Sequence, residues 1–91
     1  MPMTLEIRDP SGQLAVRRKV IFQIHADPAR GVRGILDRER GVVTEQVQYT
    51  DSSGSATVRL KVDESGRPVR IRRAVMAEGD HTVCRLEPMP E

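Results

Sequence analysis

Aromatic side chains are nearly absent from this 91-residue sequence, which has no Trp, one Phe (Phe22) and one Tyr (Tyr49). A core must therefore be aliphatic, and a platform of rings for stacking unpaired bases is excluded. Cys84 is the only cysteine, so there is no internal disulfide and no pair of thiolates for a zinc ribbon. Long apolar runs are also missing. None approaches the roughly 20 residues of a membrane-spanning helix, and no membrane association is expected. The opening "MPMTLEIRDP" lacks a basic stretch followed by an apolar one, so no signal peptide is expected and the expected compartment is the cytoplasm.

Charge of one sign is not in excess either. Fifteen basic residues face thirteen acidic ones, for a net +2, which excludes a polyelectrolyte arm of the kind that coats nucleic acid. No G-x-S-x-G elbow and no recognisable pair of carboxylates is present. His81 and Cys84 lie three apart, a spacing that sends two side chains to opposite faces of a strand, and no second Cys or acidic ligand stands at metal spacing. The serines of "DSSGS" are accounted for by turn chemistry. No catalytic residue, cofactor or metal is expected, and the chain reads as a non-enzyme.

What the sequence does have is valine, eleven of them, a β-branched residue that favours strands. One domain covering 1–91 is the most that this length supports, and it can bury a modest core without staples. Turn signals recur every 10 to 15 residues: "DPSGQ", "DPARG", "DRERG", "DSSGS", "DESGRP" and "AEGDH". Between them the pattern has period 2. Val20, Phe22, Ile24 and Ala26 alternate with Ile21, Gln23 and His25, and Ala56, Val58, Leu60 and Val62 alternate with Thr57, Arg59 and Lys61. Strands at such spacing predict an all-β domain, a small antiparallel barrel or sandwich of six to seven strands, with a short flexible tail at 87–91. Residues 28–40 carry helix punctuation at Asp27, Pro28 and Gly41, so one short helix there is an alternative. Gly31 and Gly34 would each cost a helix interior about 1 kcal/mol, and a strand over 32–37 is preferred.

The stretch "TVRLKVDESGRPVRIRR" raises the functional question. With tight turns at Ser65-Gly66, Ser53-Gly54 and Glu78-Gly79, four consecutive strands would form one meander. Its inner face would carry Val47, Leu60, Ile71 and Leu86. Its outer face would gather Gln46, Gln48, Arg59, Lys61, Arg70, Arg72 and Arg85. Like charges set opposite one another cost a few tenths of a kcal/mol per pair, which an anionic partner would offset. An ordinary solvated face is the competing explanation, because long cationic side chains splay and are screened.

In these registers Arg18, Arg73 and Glu45 fall on the apolar side, marking a bulge (expected at Arg72-Arg73), an interface or a site. Cys84 aligns with Thr82 and Leu86 as a small core residue. The expected function is a non-catalytic binding or assembly module acting through a sheet face or edge with a protein partner or with itself. Unpaired edge strands near "VRRKVIFQI" would serve that role. The alternative is weak, salt-sensitive, sequence-unspecific nucleic-acid binding through the Arg/Lys/Gln face, and a small enzyme without recognisable motif ranks third.

Overall fold

Eight strands alternate with the turn signals along the chain: β1 (Pro2–Glu6), β2 (Lys19–Ile24), β3 (Val32–Asp37), β4 (Gly41–Val43), β5 (Glu45–Tyr49), β6 (Ser55–Val62), β7 (Ile71–Glu78) and β8 (His81–Pro88). The computed structural model describes residues 1–63, 69–79 and 81–89. Two four-stranded sheets result, in the orders β1-β6-β3-β4 and β5-β2-β8-β7. They pack as a sandwich rather than closing into a barrel, and a single 3-10 turn at Pro28–Arg30 is the only helical element among the described residues. The strand over 32–37 is present as expected. Gly31 ends the 3-10 turn in the left-handed conformation with φ +80.

β6 shows why the chain folds this way. Ala56, Val58 and Leu60 are buried while Thr57, Arg59 and Lys61 are exposed, the alternation of a strand with one dry and one wet face. Opposite it, β2 sends Val20, Phe22 and Ile24 inward and β8 sends Thr82, Cys84 and Leu86 inward, all of them buried. Ile7, Val32 and Ile35 complete the core. Cys84 is thus a core residue, and burial pushes its thiol up to about 11.

Strand pairing departs from the expected meander. β6 pairs with β1 and β3, not with its sequence neighbours. β5 instead pairs with β2, setting Ile21 opposite Val47 and Phe22 opposite Gln46. β2 and β8 run parallel, with Ile21 beside Val83 and Phe22 beside Cys84. β7 and β8 form a hairpin two residues out of the expected register, so that Arg72 faces Glu87 and Ala74 faces Arg85. The Ser65-Gly66 turn lies outside the described residues. The segment "VRRKVIFQI" is not an edge, because β2 sits between β5 and β8. Nor is residue 87 the start of a loose tail: Glu87 and Pro88 are paired in β8, and the Met89 amide donates to the Arg70 carbonyl at 2.9 Å.

Two identical loops close one end of the sandwich. Asp9 Oδ1 accepts the Ser11 and Gln13 amides, and Asp51 Oδ1 accepts the Ser53 and Ser55 amides. Both arise from the pattern Asp-x-Ser-Gly-x, in which the carboxylate mimics a turn of backbone. The loop from Asp51 does not make a flat hairpin; it carries the chain from β5 in one sheet to β6 in the other.

Candidate functional site

The seven residues expected on one basic face are divided between the sheets. Arg59 and Lys61 lie on the outer side of β6, Arg72 and Arg85 on the outer side of the second sheet, and Arg70 just before β7. Gln46 and Gln48 point the other way from the expected parity, toward the gap between β5 and the first sheet. There their side-chain amides bridge to the first sheet. Gln48 Nε2 donates to the Thr57 carbonyl at 2.7 Å and Gln46 Nε2 to Asp37 Oδ2 at 3.2 Å. These bonds across the gap hold both glutamines on the inner parity, against the polar-out rule.

Inverting β5 has a consequence for the opposite face. Val47 and Tyr49 turn outward, 45% and 70% exposed. Val47, Ile21, Val83 and Met76 then form one straight row across all four strands of the second sheet, each directly opposite the next. Val83 is only 2% exposed although it lies on the outer face, because Ile21 and Met76 flank it. Below the row lie Glu45, Gln23, Arg85 and Ala74; above it lie Tyr49, Lys19, His81 and Glu78. Both flanks mix the two signs of charge. Val47, expected in the core, is exposed instead, and the outer face, expected to gather Arg, Lys and Gln, carries both signs of charge. Apolar residues on both parities, in "VIF" of β2 and "TVC" of β8, were the signal for this row, since a strand apolar on both sides is covered on both sides.

Three of the expected site residues do share one feature. Gln46, Gln48 and Arg59 line a shallow groove of about 520 Å³ together with the β3–β4 turn, Asp37 to Arg40. Asp37 is held there by the Arg40 and Glu39 amides and by Gln46, which keep its carboxyl well below the usual carboxylate range. Arg40 is tied to Asp37 at 3.2 Å and to the Glu45 carbonyl. Arg38 and Arg59 make no ion pair among the described residues. Among the described residues, the groove thus holds two guanidinium groups without an acidic partner.

The residues expected to be misplaced are each accounted for. Arg73 does lie on the inner parity of β7, and its guanidinium turns to the rim and donates to the Glu6 carbonyl. No bulge occurs at Arg72-Arg73; β7 runs in unbroken register, and Val75, not Ala74 or Met76, packs against the core. Glu45 is exposed and accepts from Gln23 Nε2 at 3.0 Å. Arg18 is half exposed and meets Asp9 at 3.4 Å. His81 lies on the outer face and Cys84 on the inner.

No protein-family model, no curated protein and no solved structure matches the chain.

Proposed function

We propose that this protein is a non-catalytic binding or assembly module that engages protein through its second sheet. The observation that carries the reading is the Val47–Ile21–Val83–Met76 row with Tyr49 beside it. An apolar band on an otherwise polar surface, rimmed by mixed charge, has the composition of an interface core inside a polar rim. Tyr49 adds a large, partly polar ring of the kind that anchors such contacts. On the first sheet the exposed apolar residues are the Leu36–Val42 pair at the β3–β4 edge, and β6 lines the middle of the outer face with Thr57, Arg59 and Lys61.

A photo-crosslinking residue placed at Tyr49, in separate variants from one placed at Arg59, tests this in the cell of origin. Protein adducts from position 49 and few from position 59 are expected, and Val47→Lys should abolish them. Adducts equally frequent at both positions would sink the reading. The second reading, polyanion binding, draws support from Arg38 and Arg59 lacking acidic partners in one groove. It expects nucleic acid crosslinked at position 59, with affinity falling steeply as salt rises.

A further inference from the structure

A sheet has two edges, and this sandwich has four edge strands whose treatment is unequal. β4 is three residues long and β1 five, with Pro2 at its start. β5 is five residues long, Arg40 covers its Glu45 carbonyl, and its glutamines reach across to the first sheet. β7 is eight residues long, contains no proline and is paired only with β8 among the described residues. Short, proline-bearing or covered edges resist strand addition, whereas a long bare one invites it.

The register determines which backbone groups β7 offers. The Met89-to-Arg70 bond makes that pair a hydrogen-bonded one, and such pairs alternate along an antiparallel ladder. Arg72, Ala74, Met76 and Glu78 therefore direct their amides and carbonyls to β8. Ile71, Arg73, Val75 and Ala77 direct theirs outward. Arg73 does not obstruct this edge, because its side chain is drawn across the sandwich to Glu6.

We infer that β7 pairs, antiparallel and about a two-fold axis at Ala74, with β7 of a second copy of this chain; the inference rests on the second sheet being the binding surface. Ile71 would pair with Ala77 of the other copy and Arg73 with Val75, giving about eight backbone hydrogen bonds. The charge pattern suits this partner and this register. Arg70 falls opposite Glu78 of the second copy at both ends, while the small Ala74 meets itself on the axis. A register centred on Arg72 would set two guanidinium groups face to face, which is unfavourable. Such an interface is isologous, as closed dimers require. It makes one eight-stranded sheet and brings both apolar rows to the same side, doubling the band available to a further protein.

Sedimentation equilibrium of the full chain over a wide concentration range tests the inference. A mass rising to twice 10.2 kDa is expected. Glu78→Arg should weaken association at least tenfold, and Arg70→Glu combined with Glu78→Arg should restore it. Ala77→Pro removes one outward amide without touching the β8 ladder and should abolish the dimer with the circular dichroism spectrum unchanged. A chain that stays monomeric at the highest concentration overturns the second copy as partner. A dimer indifferent to Ala77→Pro and to both charge variants overturns the β7 edge. Neither result bears on adducts at position 49, whose loss would be the failure of the binding-module reading itself.

Discussion

The two sheets solve the same problem differently. In the first, β6 separates its residues by the rule: buried Ala56, Val58 and Leu60 against exposed Thr57, Arg59 and Lys61. Its outer face is left to water, and short strands close both edges. In the second, β2 and β8 are apolar on both sides, one outer residue is all but inaccessible, and the long edge strand β7 is paired on one side only among the described residues. A sheet that needed only to cover a core would resemble the first. The outer row of the second sheet buries Val83 but leaves Val47 and Met76 45% and 37% exposed, and this asymmetry underlies the proposal that binding uses that sheet.

The comparison breaks most visibly within the second sheet. Phe22 and Val47 lie on adjacent strands but on opposite faces. Phe22→Ala empties the middle of the core and should cost about 3–5 kcal/mol, enough to unfold much of a domain this small. Val47→Ala removes only half-exposed atoms and should cost under about 1 kcal/mol in urea unfolding of the monomer. Comparable losses at both sites would mean that the outer row is structural.

A second, smaller effect belongs to the first sheet. Gly34 occupies the bulge where β3 slips against β6, with φ +154, and a Cβ there would lie 2.7 Å from the Val43 carbonyl oxygen. Gly34→Ala combines backbone strain with a clash against main chain, and a loss of about 1–3 kcal/mol is expected. The damage should concentrate in β4, seen as faster amide exchange at 41–43 with the second sheet unaffected. Uniform loss of protection across both sheets would show that the two do not differ in cooperativity.

These contrasts also explain what could be read from residues alone. Element identity was legible wherever one face is buried: the alternation in 55–62, the strand at 32–37 in place of a helix, and Cys84 in line with Thr82 and Leu86. Pairing was not. A turn such as Asp51–Gly54 specifies that the chain reverses, but not whether its two arms remain in one sheet. Here they separate, and Gln46 and Gln48 go inward to bridge the gap, to the Asp37 carboxylate and the Thr57 carbonyl. A local pattern cannot register such a demand. The parallel β2–β8 pair joins segments about sixty residues apart, and only the two-sided apolar character of both hinted at it. The basic face dissolved for the same reason: Arg59, Lys61, Arg72 and Arg85 lie on strands as expected but in two sheets, and Gln46 and Gln48 turn to the other face.

Cys84 gives a third contrast, between burial and reactivity. Its thiol is raised to about 11 by desolvation, so the thiolate is scarce at neutral pH. A disulfide reagent should titrate no thiol in the native chain within minutes and one after denaturation. Above the ordinary thiol value of about 8.5 the unfolded state ionises first, so a modest loss of stability is expected as pH rises from there toward 11. Rapid labelling at neutral pH would show that the second sheet opens.

The smallest expected effect distinguishes the sheets by acid. Asp9, Asp37, Asp51 and Asp63 all have carboxyls held below their ordinary value. The main causes are the Ser11 hydroxyl for Asp9, backbone amides for Asp37 and Asp51, and the Arg33 guanidinium for Asp63, which donates at 3.0 and 3.1 Å. Asp37 ends β3 and Asp63 follows β6, both in the first sheet, while Asp9 and Asp51 sit in the loops that join the two sheets. A depressed folded value means that the stabilisation is fully present above the unfolded value of about 3.9 and is lost as pH falls through the folded one. Thermal midpoints should therefore be level from pH 8 to pH 5 and fall below about pH 4. Exchange should accelerate first at the loops around Asp9, Asp37 and Asp51, while the β2–β8 ladder, which holds no such carboxylate, keeps its protection. Asp37→Asn retains the shape but not the charge, so its midpoint should be slightly lower at pH 7 and decline less steeply in acid. An unchanged acid slope would remove Asp37 from the account, and equal acid loosening of both ladders would erase the difference between the sheets.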